Sequence, residues 1–201
     1  MTGPGDDCIV KDGNEIGEIR KRERRESAME KQLYTEMMES PLGEIVLVSD
    51  GTALKDVRLT GQRGNFSGMG KMSSEESCPM LEMTKRWLTL YFSGEIPDFL
   101  PPLAPEGSAF RQRVWEILLE IPYGQVTSYG EIAARMAAET GKNQMSAQAV
   151  GGAVGHNPIA IIIPCHRVVG KDGSMTGYDG GVEKKIWLLQ LEGGHCAQRK
   201  F

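Results

Sequence analysis

The chain has 201 residues, of which 40% are hydrophobic and 25% are charged, and its net charge is −4. This length suits one large domain or two small ones, and the composition is ordinary for a globular protein. No apolar run reaches the roughly 18 residues that a membrane-spanning helix needs, and the polar N-terminus excludes a secretory signal. Four cysteines without paired spacing are typical of a reducing compartment, so we expect an intracellular soluble protein with free thiols.

Charge is divided unevenly along the chain. Residues 1–105 hold 13 Lys and Arg against 18 Asp and Glu, a net −5, whereas residues 106–201 hold 10 against 9, a net +1. Because non-specific DNA affinity comes mainly from phosphate neutralisation, any DNA contact should lie in the second half and be electrostatically modest. Residues 1–28 mix both charges with few apolar residues, which predicts a disordered tail rather than a basic nucleic-acid-binding arm.

Residues 29–94 have the pattern of a small α+β domain. Three apolar segments separated by turn sequences predict short strands; they are 33–39, 44–49 and 54–59. The glycine- and serine-rich stretch 61–77 predicts a mobile loop, and 79–92 predicts a helix that Gly94 ends. One face of this helix holds residues that we assign to the core, namely Met80, Thr84, Trp87, Leu88 and Tyr91. We expect no chemistry from this domain.

Four prolines within residues 97–105 predict a stiff, extended connector, so we place a domain boundary at residues 95–109. Residues 110–201 are predicted to be mainly helical. Ser108 can cap a helix over 110–120.

Thr127 or Ser128 can cap a second helix, where Glu131 completes a capping box and Gly141 ends the helix. A third helix is predicted over 147–154.

The third helix begins at Ser146 and consists almost entirely of small residues. Glycine costs about 1 kcal/mol in a helix interior, so the consecutive Gly151 and Gly152 indicate that another group approaches this backbone closely. Packing on the apolar segment behind the helix and approach to a nucleic-acid backbone both fit this pattern. Two short helices joined by a glycine-containing turn also fit a helix-turn-helix.

The segment 161–170 carries the residues best suited to chemistry. Three successive isoleucines at 161–163 predict a buried strand that Pro164 ends, so the strand presents Cys165 beside His166. A thiol becomes a strong nucleophile when a base or a cation lowers its pKa. Glu192, at the end of a helix predicted over 182–191, can orient the histidine. Because neighbouring residues of an extended chain point to opposite sides, Cys165 and His166 need a turn or a bridging water to interact.

These motifs resemble those of the O6-alkylguanine-DNA alkyltransferase family. The resemblance rests on Pro164-Cys165-His166-Arg167, on Asn157-Pro158 seven residues upstream, on Val150-Gly151-Gly152-Ala153, and on Thr176-Gly177-Tyr178-Asp179-Gly180-Gly181. It is dense from about residue 110 to 193 and weaker over 33–94. It implies an α+β fold, with a small ribonuclease H-like N-terminal domain and a mainly helical C-terminal domain that contains a winged-helix-like helix-turn-helix.

The resemblance also implies a function. Such proteins repair DNA by moving an alkyl group, usually methyl, from O6 of guanine irreversibly to their own cysteine, and O4 of thymine is a second candidate donor. The target base leaves the duplex first. The implied partner is alkylated double-stranded DNA bound through its minor groove, and the implied protein is a monomer without cofactor or metal. It would act in the cytoplasm at the nucleoid, or in the nucleus of a eukaryote.

The family pattern assigns roles residue by residue. Cys165 would be the nucleophile, a water would carry its proton to His166, and Glu192 would orient the histidine. Tyr129 would help to neutralise the departing guanine, and Asn157 would tie the recognition helix to the active-site segment. The residues implied in substrate or DNA binding are Ser146, Ala147, Gln148, Gly151, Arg167, Met175, Tyr178, Asp179 and Gly180.

Gln148 departs from the family pattern, which places an arginine there to fill the gap that the flipped base leaves. Glutamine is shorter and uncharged, although its amide can still hydrogen-bond an orphaned cytosine. The sequence therefore predicts weaker duplex binding and slower base extrusion than in arginine-bearing relatives.

Other functions fit the sequence less well. The adjacent pairs Cys165-His166 and His195-Cys196 lack the two-to-four-residue spacers of structural zinc sites, and residues 29–94 contain no histidine for a zinc site. A cysteine hydrolase would turn over repeatedly, and the local signatures of such enzymes do not surround Cys165. A damage sensor of this family would lack the cysteine. A sequence-reading transcription regulator would need long polar side chains on the third helix.

Overall fold

A computed structural model describes residues 33–59, 78–175 and 177–193 of the chain. The predicted tail at 1–28 and the predicted loop at 61–77 lie outside these residues, as do His195 and Cys196. Among the described residues, no helix is long and apolar enough to cross a membrane.

The three predicted strands are confirmed and form one antiparallel sheet in the order β1-β2-β3. Their bounds are β1 Tyr34–Met38, β2 Ile45–Ser49 and β3 Leu54–Leu59. The central strand β2 is buried along most of its length, as its run of apolar residues predicts. The confirmed helix α1, Pro79–Phe92, packs its apolar face on this sheet.

The edge of β3 that faces away from β2 forms hydrogen bonds with the second half of the chain. The Leu54 amide donates to the Pro102 carbonyl at 2.8 Å, so the proline-rich connector extends along the sheet instead of standing away from it. Further along the same strand, the Val57 amide donates to the Pro158 carbonyl at 2.8 Å. The segment that leads to Cys165 is therefore hydrogen-bonded to the N-terminal sheet.

The helices predicted in the second half are confirmed within one residue at each end, as α2 Ala109–Leu119, α3 Tyr129–Glu139, α4 Ala147–Gly155 and α5 Val182–Leu191. Their caps follow the sequence. Ser108 caps α2 and Ser146 caps α4. Ser128 caps α3 and forms a reciprocal capping box with Glu131.

The prediction of a buried strand at 161–163 is wrong, because the structure has a turn there. The Ile163 amide donates to the Ile159 carbonyl at 3.0 Å, and Ile161 adopts a left-handed backbone with φ 71°. A β-branched residue rarely adopts this conformation, which costs on the order of 1–3 kcal/mol. The three isoleucines are nevertheless at most 3% exposed, so the apolar run predicted burial correctly but not backbone geometry.

A short parallel pair of strands completes the C-terminal part. Strand β4, Thr127–Ser128, pairs with β5, Val168–Val169, which directly follows Cys165, His166 and Arg167. The pair fixes the start of α3 beside the cysteine-containing segment.

Candidate active site

Cys165 begins a single 3₁₀ turn, Cys165–Arg167, immediately after Pro164. Its amide donates to the Ile163 carbonyl at 2.8 Å, and the residue is only 8% exposed. The tight turn supplies the change of direction that two neighbouring residues need if both are to take part in one site.

Asn157 joins the end of α4 to this turn. Its side-chain amide donates to the Ile163 carbonyl at 2.8 Å, and its side-chain oxygen accepts from the Ile159 amide at 3.0 Å. It also hydrogen-bonds Cys165, an interaction that favours the thiolate. The end of α4, the strained turn and the cysteine are therefore linked through one side chain.

His166 is completely buried, and its Nε2 lies 2.8 Å from Oε1 of Glu192. Burial lowers the pKa of His166, opposed by the hydrogen bond and charge of Glu192, so the resting imidazole is neutral. The short contact to a carboxylate places the ring proton on Nε2. Nδ1 then keeps its lone pair, and among the described residues it has no hydrogen-bond partner. This nitrogen is suited to accept a proton.

Glu192 caps the end of α5 and lies among hydrogen-bond donors. Its two oxygens accept from Nε and Nη2 of Arg167, each at 2.9 Å, and the Gly124 amide donates to Oε2 at 3.1 Å. Burial alone would disfavour the carboxylate, but hydrogen bonds from His166 and Arg167 outweigh burial and lower the pKa of Glu192 to about 2. The carboxylate is therefore ionised throughout the neutral range.

Arg167 does not lie where we expected it. The sequence placed it among residues that bind DNA, but its side chain is buried, and its remaining terminal nitrogen donates to the Ile121 carbonyl at 2.6 Å. A guanidinium that binds a carboxylate through two nitrogens is preferred inside a protein because its rigid fork matches both oxygens. Arg167 therefore holds Glu192, and its charge is directed inward.

Two tyrosines lie close to the cysteine. A Cβ on Gly177 would meet the Tyr129 hydroxyl at 2.6 Å, and a Cβ on Gly151 would lie 3.7 Å from the Tyr129 ring. Burial raises the pKa of Tyr129 and of Tyr178, and a charge on Cys165 would raise both further. The Tyr178 hydroxyl is buried without a hydrogen-bond partner among the described residues. Both phenols are therefore near enough to Cys165 for its charge to affect them.

Comparison with known proteins identifies the family. A family model described as the DNA binding domain of 6-O-methylguanine DNA methyltransferase matches residues 109–194. The methylated-DNA–protein-cysteine methyltransferase of Haemophilus influenzae is 41% identical over 161 residues, which cover 80% of this chain and 86% of that protein. The chain belongs to the methylated-DNA–protein-cysteine methyltransferases.

One further curated relative and one solved structure show similarity over about the same share of the chain. The methylated-DNA–protein-cysteine methyltransferase of Methanosarcina acetivorans is 42% identical, with 80% of this chain and 99% of that protein covered. A crystal structure of Mycobacterium tuberculosis OGT in complex with DNA is similar to this fold with a TM-score of 0.67, at 40% identity. That match covers 79% of this chain and 92% of the solved one.

Within this methyltransferase fold, the other expected binding residues lie at or near the surface. Ser146, Ala147 and Gln148 are exposed at the start of α4. Met175 and Gly180 are half-buried, and Asp179 is exposed beside the buried Tyr178. Three or more metal-binding side chains are not grouped together anywhere in the described ranges.

Lys185 also affects the site electrostatically, and we did not predict it from the sequence. It is completely buried on α5, and its ammonium donates to the Val168 carbonyl at 2.5 Å. Burial raises the pKa of the Cys165 thiol, and the Asn157 hydrogen bond and the Lys185 charge oppose this effect. One signal was present, because Lys185 lies three and four residues before the buried Leu188 and Leu189 and so shares their face of the helix.

Replacing Lys185 by methionine should make the Cys165 thiol less reactive. Loss of a buried cation raises the pKa of the thiol, and we expect iodoacetamide to modify Cys165 about tenfold more slowly at pH 7. Peptide mapping would separate Cys165 from the other cysteines. Lys184→Met, on the partly exposed side of the same helix, is the matched control, and an equal slowing in both variants would contradict this role for Lys185.

Proposed function

We propose that this protein repairs DNA by transferring an alkyl group from O6 of guanine irreversibly to Cys165. One observation carries the proposal. A buried cysteine lies next to a neutral histidine whose Nδ1 is without a hydrogen-bond partner among the described residues, while an ionised Glu192 holds the opposite nitrogen. This arrangement provides a nucleophile, a base and an orienting carboxylate in a chain of the methylated-DNA–protein-cysteine methyltransferase family.

The reaction follows from these groups. The thiol proton of Cys165 passes through a bridging water to Nδ1 of His166, and Glu192 stabilises the imidazolium that forms. The thiolate attacks the alkyl carbon, so a carbon–sulfur bond forms while the carbon–O6 bond breaks. The electron pair of the broken bond remains on guanine. The Tyr129 hydroxyl, which burial keeps protonated, stabilises the departing guanine anion by donating a hydrogen bond to it, and the anion then takes up a proton from solvent.

We propose that the substrate base enters the site from the minor groove of duplex DNA. A base inside the stack cannot present its O6 substituent in line with Cys165, so the nucleotide must leave the helix first. The small residues on the exposed side of α4 allow close approach of a DNA backbone. Tyr178, Asp179 and Gly180 would form the wall of the base pocket, with Met175 nearby.

The proposal also covers the domain organisation, the oligomeric state and the cellular location of the protein. The N-terminal part, 29–94, would be a ribonuclease H-like domain, and residues 110–201 would be a DNA-binding domain with a winged-helix-like helix-turn-helix formed by α3 and α4. The connector at 95–109 would separate them. The protein would act as a monomer, in the cytoplasm at the nucleoid or in the nucleus of a eukaryote.

Counting turnovers tests the proposal against a hydrolase that uses the same residues. The protein is mixed with a tenfold excess of duplex that carries radiolabelled O6-methylguanine, and protein-bound label is followed with time. Because a thioether has no route back to the thiol, transfer should stop at one methyl group per protein. Label that never binds the protein, or continuing loss of lesion beyond one equivalent, would overturn it.

Replacing Gln148 by arginine should raise duplex affinity and the repair rate. An arginine adds a charge and a longer reach, and a charge-assisted hydrogen bond is roughly twice as strong as a neutral one. We expect binding about tenfold tighter, or about 1.4 kcal/mol, to lesion-bearing duplex at low salt. The measurement uses fluorescence anisotropy in a Cys165→Ala background. Gln144→Arg, also exposed but before the start of α4, is the control for the added charge alone. Equal gains in the two variants would contradict a specific role for position 148.

A further inference from the structure

Tyr91 brings the N-terminal half of the chain into the reactive cluster. It is the penultimate residue of α1 and is 1% exposed. Its hydroxyl lies 2.7 Å from Oε1 of Glu192 and 3.3 Å from Nε2 of His166. The predicted core position of Tyr91 is confirmed. Its polar contacts with Glu192 and His166 were not predicted, because we expected no chemistry from this part of the chain.

The direction of these hydrogen bonds follows from the charges. Burial and the negative charge of Glu192 raise the pKa of Tyr91, so the hydroxyl keeps its proton and donates it to the carboxylate. The Tyr91 oxygen can then only accept from His166. A ring that faces two acceptors at Nε2 must carry its proton there, and its lone pair is held at Nδ1.

The aromatic residues around Tyr91 fix the position of its hydroxyl. The Trp87 ring stacks on the Tyr91 ring with centroids 5.3 Å apart and planes 10° apart. The Tyr123 ring meets it edge-on at 6.1 Å. Because the ring is held on both sides, removal of the hydroxyl alone should leave the packing of α1 in place.

We infer that Tyr91 is a positioning residue for the alkyl-transfer reaction: it orients Glu192 and His166 so that Nδ1 is directed to the thiol of Cys165. The inference rests on the proposed function, because it concerns how the base of that reaction is prepared. It adds a contribution from the N-terminal domain, since the other groups of the proposed reaction, namely Tyr129, Cys165, His166 and Glu192, all lie in the C-terminal domain. The first half of the chain would thus tune the reactivity of the second.

The charge that His166 experiences comes from several elements. The ionisable groups around the His166–Glu192 pair are Arg167 and Cys165 in the 3₁₀ turn, Lys185 on α5, Tyr91 on α1 and Tyr123 before β4. Arg167 and Lys185 lower the pKa of His166, and Glu192 raises it. A hydroxyl that donates to Glu192 takes up part of the carboxylate's negative charge, so Tyr91 acts in the same direction as the two cations.

Tyr91→Phe should therefore raise the pKa of His166. A protonated His166 cannot accept the thiol proton, so the acid limb of the pH–rate profile for transfer should move to higher pH. We expect the rate at pH 6 to fall about three- to tenfold more than the rate at pH 8. Nitrogen-15 NMR of His166, measured without DNA, should show the same upward shift of its titration and a smaller population of the Nε2–H tautomer.

Tyr123→Phe is the matched control. It also removes one phenolic oxygen, but that oxygen bonds the Leu191 carbonyl at 3.2 Å rather than the carboxylate. The His166 titration should be unchanged in this variant. If Tyr91→Phe folds as the wild type does and its His166 titration and acid limb are both unshifted, Tyr91 only packs and the inference is wrong.

A second variant covers the case in which Tyr91→Phe does not fold. Genetically encoded difluorotyrosine at position 91 keeps the hydroxyl and makes it a stronger donor, so the pKa of His166 should fall and the acid limb should move to lower pH. A shift to higher pH, or none, would contradict the inference. Because the NMR titration needs no alkylated DNA, it can fail or succeed independently of whether wild-type Cys165 accepts an alkyl group.

Discussion

Replacing His166 by glutamine should slow alkyl transfer at pH 7 by about 10²- to 10⁴-fold, the range that a positioned general base contributes. Burial raises the pKa of the Cys165 thiol, so without a base almost no thiolate is present at neutral pH. Glutamine has a similar length and can still donate to Glu192, but its amide oxygen does not take up a proton. The variant therefore tests proton acceptance rather than packing.

The pH dependence of His166→Gln separates a lost base from a damaged fold. The thiol can then lose its proton only to solvent, so the rate should rise steadily with pH and approach the wild-type rate in strongly alkaline buffer. Single-turnover transfer measured between pH 6 and 10 checks this. His156→Gln, an exposed histidine at the end of α4, should keep the wild-type profile. A low rate that does not depend on pH would contradict the assignment of His166 as the base.

The second large effect concerns stability. Glu192→Gln should lower the free energy of unfolding by about 3–5 kcal/mol at pH 7, because the buried Arg167 guanidinium would lose its counter-ion. Urea unfolding measures the change. Adding Arg167→Met should recover part of the loss, since removing both buried charges leaves no uncompensated cation. Glu139→Gln removes a carboxylate from an exposed ion pair with Arg113 and should cost much less.

The effect of Glu192→Gln should depend on pH in one direction. The pKa of Glu192 is lowered from 4.5 to about 2 in the folded protein, so its contribution is fully present above pH 4.5. As pH falls towards 2, the wild type loses this contribution and the variant does not. The difference in stability between them should shrink across this window. A difference that stays constant down to pH 2 would mean that the charge of Glu192 is not its source.

Local sequence signals predicted much of this molecule. Ser108 and Ser128 each precede an apolar periodic segment, Ser146 precedes a run of small residues, and each serine caps the helix that was expected after it. Such caps depend on hydrogen bonds within a few residues, so they are readable from the chain alone. The neighbouring Cys165 and His166 indicated a nucleophile beside a base in the same local way, whereas alkyl transfer as the reaction was implied by the family resemblance.

Features set by distant contacts were missed. The isoleucine run at 161–163 was predicted as a strand because β-branched residues favour strands, but the Asn157 side chain bonds the carbonyl and amide of a turn instead. Arg167 was expected among the DNA-binding residues only because the family resemblance implied it. Its actual partner, Glu192, lies 25 residues further along.

Tyr91 and Lys185 were missed for a related reason. Each lies on an apolar helix face, where periodicity predicts packing and says nothing about the polar atom at the end of the side chain. Their partners lie on other elements: the Tyr91 hydroxyl contacts Glu192 across 101 positions, and the Lys185 ammonium contacts Val168 across 17. Only the tertiary structure brings these groups to the histidine and the cysteine.

Intact-mass analysis after incubation with an O6-methylguanine duplex tests the central claim most directly. The wild-type protein should gain a single methyl group, about 14 Da, and peptide mapping should locate it on Cys165 rather than on Cys8, Cys78 or Cys196. The gain should persist after the DNA is removed, and Cys165→Ala should show none. A folded wild-type protein whose mass is unchanged after prolonged exposure, or whose methyl group lies on another cysteine, would contradict it.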